Sequence, residues 1–123
     1  MAGWKRKIAE YEADLYRVQE PTLLNKLLSL FMGTKSGEIE MKKYEDGEKQ
    51  IEIEVHSVNV PDGSTVSAVI DGATVHEFRV NHGRARLLLS TSRGDRIPEV
   101  HNGSVAEIRF SGEVLLRGTF RPD

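Results

Sequence analysis

The sequence contains no cysteine. That excludes a disulfide scaffold, a thiol nucleophile and every cysteine-ligated metal site. Long apolar runs are missing as well. The longest, Leu23 to Met32, is interrupted by Asn25, Lys26 and Ser29, and it falls far short of the ~20 apolar residues that span a bilayer. A strong charge of either sign is absent too: the formal net charge of −2 does not announce a nucleic-acid or polyanion binder. Behind Lys5-Arg6-Lys7 the chain continues with Glu10, Glu12 and Asp14, where a secretory signal would begin its apolar stretch. The expectation is therefore a chain without a secretory signal, cytoplasmic by default.

What is present points to one domain: 123 residues, 38% of them apolar and 29% charged, are enough to close a hydrophobic core. The charge is uneven. Residues 36–123 carry eleven Lys/Arg against fifteen Asp/Glu. Within that part, residues 38–54 are acid-rich and residues 79–96 arginine-rich.

Two periodicities divide the chain. Trp4, Ile8, Tyr11, Leu15 and Val18 recur at spacings of 4, 3, 4 and 3, which on a helix forms a single apolar stripe. Glu20-Pro21 ends or kinks that helix, and proline is tolerated in the first turn of a second one. There Leu23, Leu24, Leu27, Leu28, Leu30 and Phe31 cover more than half the circumference, until Gly33 stops it. From Glu38 onward the period is two. Ile51-Glu52-Ile53-Glu54-Val55 alternates as a strand with one wet face. Similar runs follow at Val66–Ile70, His76–Val80, Ala85–Leu89, Ala106–Phe110 and Val114–Phe120. Between them stand Glu45-Asp46-Gly47, Pro61-Asp62-Gly63, Asp71-Gly72, Asn81-His82-Gly83, Asn102-Gly103 and Ser111-Gly112, each offering a residue that accepts positive φ. With Glu38–Tyr44 as the first strand, the expected fold is an antiparallel seven-stranded sandwich or partly open barrel over residues 37–123. An N-terminal amphipathic helical segment over residues 1–36 precedes it, so the class is mainly β with helices. The shared phase predicts a core of Ile51, Ile53, Val55, Ala68, Ile70, Phe78, Val80, Leu87, Leu89, Ile108, Phe110, Leu116 and Phe120.

Candidate chemistry is sparse. His56, His76, His82 and His101 show no metal-ligand spacing: His56 falls on an outward phase, His82 and His101 in turns, His76 on an inward phase near a strand start. Glu52 and Glu54 share one strand face, as a hydrolytic carboxylate pair would, and equally as any solvated strand does. No serine lies in a nucleophile elbow, and neither a dinucleotide fingerprint nor a P-loop occurs. Arg93-Gly94-Asp95 spells an integrin tripeptide but reads equally as a tight turn that needs glycine. Arg79, Arg84, Arg86, Arg93 and Arg96 could make a basic patch. Phe78, which points inward, is the only aromatic among them, so base stacking lacks its platform; charge pairing with the acid-rich first hairpin is the simpler use.

The stretch Gly83-Arg84-Ala85-Arg86-Leu87-Leu88-Leu89-Ser90-Thr91, followed by Gly94-Asp95-Arg96-Ile97-Pro98-Glu99-Val100, Gly103-Ser104-Val105 and Leu115-Leu116-Arg117-Gly118-Thr119-Phe120, resembles a pattern found in uncharacterised bacterial β-sandwich-like domains. Those run G-x-A-x-L-x-L-x-T, then G-D-x-V-P-x-V, then G-x-V and L-x-x-G-x-F. The resemblance covers about residues 38–121, implies a β fold and carries no activity. Many such domains look exported, and this chain departs from them in its charged N-terminal segment.

The resulting expectation is a non-enzymatic protein–protein interaction or assembly module without cofactor or metal. Its contact residues are Trp4, Ile8, Tyr11, Leu15, Val18, Leu23, Leu24, Leu27, Leu28 and Phe31, and its partner is a second copy or a larger complex rather than nucleic acid. A ligand-binding or enzymatic cleft at one end of the β domain, and attachment to a membrane surface, stay open as alternatives.

Overall fold

The computed structural model describes residues 6–18 and 35–123. They form nine antiparallel strands: β1 Lys7–Arg17, β2 Gly37–Tyr44, β3 Lys49–Val55, β4 Ser64–Ile70, β5 Ala73–Val80, β6 Ala85–Ser90, β7 Val105–Phe110, β8 Glu113–Thr119 and the short β9 Arg121–Pro122. A single 3-10 turn, Thr91–Arg93, is the only helical element among the described residues.

The 4-3-4-3 spacing near the N-terminus does not become a helix. Residues 7–17 are β1, paired with β2 from Lys7↔Tyr44 to Leu15↔Gly37 and with β8 at Tyr16↔Arg117 and Arg17↔Leu116. The physical reason is a competing alternation. Ala9, Tyr11, Ala13 and Leu15 lie on one face of a strand, with Glu10, Glu12 and Asp14 on the other. Ala13 and Leu15 are fully buried, so this face is part of the core. Alanine, glutamate and lysine favour helix in isolation, and tertiary pairing overrides that preference. The second expected helix, with Leu23, Leu24, Leu27, Leu28 and Phe31, lies outside the described residues, as does Trp4.

The strands run in the order β5-β4-β7-β8-β1-β2-β3-β6, with β9 beside β1. β4, β5 and β6 follow one another, and β7 returns to lie beside β4, a Greek-key connection. The two end strands, β5 and β6, meet only through the bridge Asn81↔Arg84, so the sheet curls into a nearly closed barrel. Three tight turns set this register. Asp71-Gly72, His82-Gly83 and Ser111-Gly112 all have positive φ at both positions, the geometry that matches the twist of two-residue hairpins.

The core holds Leu15, Ile39, Met41, Ile51, Ile53, Val55, Val66, Ile70, Val80, Ile108, Leu116 and Phe120, each nearly inaccessible to solvent. Phe78, Leu87 and Phe110, expected in the core, pack against it half-buried. The 91–104 connection crosses one end of the barrel and closes it with Ile97 and Val100, held by Lys49 Nζ donating to the Ile97 carbonyl at 3.2 Å. Gly118 allows β8 to approach β1: a Cβ there would collide with the Asp14 carbonyl oxygen.

Candidate functional site: an acidic sheet face

The alternation that buries Ala13, Leu15, Ile39, Met41, Ile51 and Ile53 turns the intervening residues of β1, β2 and β3 outward. The register then sets acids directly against acids. Glu12 lies opposite Glu40 and Glu40 opposite Glu52; Asp14 lies opposite Glu38 and Glu38 opposite Glu54. Like charges directly opposed on a sheet are destabilising, so this face needs compensation, and most of it is visible. Lys35 Nζ reaches Glu38 Oε2 at 3.2 Å and Asp14 Oδ1 at 3.6 Å. Arg121 donates to Asp14 Oδ2 at 3.1 Å. Arg86 clasps Glu52 through Nε at 3.0 Å and an NH2 group at 2.7 Å, the cross-strand pairing expected between the arginine-rich and acid-rich stretches. Lys7 pairs with Glu10.

The densest point is Glu12, Asp14 and Glu38, each offering a carboxylate oxygen within 4.8 Å of the others. Hydrogen bonding to Glu38, burial, and hydrogen bonding to Asp14 push the Glu12 carboxyl up to about 7. Burial pushes Asp14 the other way from its net position: hydrogen bonds from Arg121 and Glu12 and the charge of Lys35 outweigh it and hold the carboxyl below the usual range. Asp14 Oδ1 is shielded from solvent and receives no hydrogen bond among the described residues; a proton on Glu12 is the natural one. Three hard oxygens can hold a hard divalent cation or share a proton. Here two cationic side chains and the proton already offset much of the charge.

These residues were not marked in the sequence. Glu12 and Asp14 are inconspicuous while β1 reads as helix, and the signal that would have found them is the E-x-D of β1 facing the E-x-E of β2. Glu52 and Glu54 share a face as expected, but on the outside of the barrel, with Glu52 held by arginine. The four histidines are exposed and outside the cluster; His76, expected inward, sits on the open end strand β5. Arg93-Gly94-Asp95 folds back on β6. Gly94 has φ 88°, the Asp95 carboxylate accepts the Ser90 N–H at 2.9 Å, and the Asp95 N–H donates to the Ser90 carbonyl at 3.2 Å. The tripeptide is a turn that clamps a strand edge.

Of the expected contact residues, Leu15 is fully buried and Tyr11 packs half-buried against the core. Leu15 is thus covered by its own barrel, and Tyr11 in part. Ile8 is 55% exposed and Val18 41%, at opposite ends of β1. No helix among the described residues is long and apolar enough to cross a membrane. The chain matches no protein-family model, no curated protein and no solved structure.

Proposed function

We propose that this protein is a non-enzymatic assembly module that docks onto another protein chain through the leucine-rich segment between β1 and β2. The observation that carries this reading is an excess of chain. β1 and β2 are adjacent and antiparallel, and their ladder closes with Leu15↔Gly37 and the Ser36 N–H donating to the Leu15 carbonyl at 2.8 Å. Neighbouring antiparallel strands need about two to five linking residues. Residues 19–34 instead stand between Val18 and Lys35, and they include Leu23, Leu24, Leu27, Leu28, Leu30 and Phe31. Chain beyond the needs of topology, rich in apolar side chains, is where binding function concentrates. Tyr16 and Val18, 43% and 41% exposed, extend that apolar character through the last described residue before the segment.

The test is the solution mass of the full chain against Leu27→Glu combined with Leu28→Glu, with liposome flotation alongside. Loss of a self-associated or partner-bound species with the barrel still folded supports the proposal. Unchanged mass and partner binding in the double variant, or flotation of the wild type abolished by it, overturns it, the latter in favour of a membrane surface.

A further inference from the structure

The barrel leaves one seam incomplete, and its two sides are treated differently. Between β5 and β6 only Asn81 and Arg84 pair, each N–H donating to the other's carbonyl at 3.0 Å. Continuing that hairpin would set Arg79 against Arg86, and like charges opposed across strands resist pairing. On the β6 side the chain covers its own edge: Asp95 occupies both backbone groups of Ser90, and the Arg93 guanidinium donates to the Leu88 carbonyl. On the β5 side no such clamp exists among the described residues.

Which groups β5 presents follows from its neighbours. The Val80 carbonyl accepts the Gly63 N–H at 2.8 Å, on the β4 side, while Asn81 turns its backbone groups to Arg84. Backbone direction alternates along a strand, so Glu77 and Arg79 present their N–H and C=O groups at the open edge. Their side chains are exposed and make no ion pair among the described residues.

Open edges invite pairing with another chain, and charges placed on them usually discourage it. Here the two charges have opposite signs and flank Phe78 symmetrically. We propose that β5 pairs antiparallel with β5 of a second copy about a two-fold axis at Phe78, setting Glu77 of each chain against Arg79 of the other. In that register Glu77 and Arg79 form the hydrogen-bonded pairs. Phe78 meets its counterpart at the closer, non-hydrogen-bonded position, where an aromatic pair is favourable. The contact is isologous, as a two-fold dimer requires. A register shift opposite Ala68/Val69 interrupts β5 before His76, so the new ladder is short and the dimer depends on concentration. β5 lies across the barrel from β1 in the strand order. This contact uses described residues alone and does not rest on the reading given to residues 19–34.

The experiment is sedimentation equilibrium of the full chain over a wide concentration range, for wild type, Glu77→Arg, Arg79→Glu and the double exchange of both. The expected result is a wild-type monomer–dimer equilibrium that each single reversal weakens by about tenfold or more and that the double exchange restores. A variant with Leu27→Glu and Leu28→Glu keeps this equilibrium, which separates failure of the edge contact from failure of the segment. A wild type that stays monomeric throughout, single reversals that leave the dimer intact, or a double exchange that fails to restore it would overturn the proposal.

Discussion

Glu12→Gln tests the acidic face most directly. In the folded barrel the Glu12 carboxyl is raised from 4.5 to about 7, because the protonated form bonds to Glu38 and Asp14 while the ionised form faces both. A folded-state pKa above the unfolded value means that the stabilising contribution is complete below about pH 4.5. It fades as the pH rises through about 7. At ~1.4 kcal/mol per pH unit the shift corresponds to at most ~3.4 kcal/mol. Because the site borders solvent and its carboxylates share charge, screening reduces this to about 1–2 kcal/mol. Glutamine keeps a donor in place of the proton and never ionises. The variant is therefore expected to match wild type within ~0.5 kcal/mol at pH 5 and to exceed it by about 1–2 kcal/mol at pH 8, read from urea midpoints at constant slope. Equal differences at the two pH values, or a less stable variant at pH 8, would refute the shared-proton account.

Other substitutions probe what holds the barrel. Gly118→Ala drives a Cβ into the Asp14 carbonyl oxygen, backbone that cannot swing aside, and should cost about 3 kcal/mol in a thermal or urea melt. Phe120→Ala empties a site only 1% exposed and should cost about 3–5 kcal/mol, whereas Phe110→Ala, at a half-buried position, should cost clearly less. Asp95→Ala strips the acceptor from the Ser90 N–H and should cost about 1–3 kcal/mol while baring the β6 edge, seen as faster aggregation on heating. Asp95→Asn, which keeps an acceptor oxygen, should lose less on both measures.

The β part was legible because its signals agree with one another. Along seven runs the alternation and the flanking turn residues agree, and Asp71-Gly72 or Ser111-Gly112 leaves little choice of register. The first strand was not legible, for a specific reason. Residues spaced by four, such as Tyr11 and Leu15, share a face in a strand as well as in a helix, so that spacing cannot decide between the two. The deciding residues were Ala9 and Ala13, too small to register as apolar, while Ile8 and Val18, which face solvent, drew the count toward a helical stripe. The half-burial of Phe78 and Leu87 has another origin. Their phase is inward, but they flank the seam that β5 and β6 leave open, and no local pattern reports whether a barrel closes. The acidic cluster failed to show for the same reason as β1: it exists only once β1 is laid beside β2.

If the two proposed contacts, one through residues 19–34 and one through β5, both form, they use different parts of the chain, and this makes the nature of the partner measurable. If residues 19–34 meet the same segment of a second copy while β5 meets β5, each chain carries two different two-fold contacts, and association proceeds beyond the dimer into closed tetramers or filaments. If the segment instead meets a different protein, purified chain stops at the β5 dimer, which carries two copies of the docking segment and gains avidity for a multivalent target. The average mass of the purified chain with rising concentration separates these cases. The expected result is a plateau at the dimer, with growth beyond it, to a tetramer or a filament, only where the segment also meets its own counterpart. Arg79→Glu should then move the monomer–dimer equilibrium to concentrations about tenfold higher or more, and Leu27→Glu with Leu28→Glu should leave the plateau where it is. A wild-type mass that climbs past the dimer, and falls back to it only in the double leucine variant, would refute the heterologous partner and make residues 19–34 a second self-association surface.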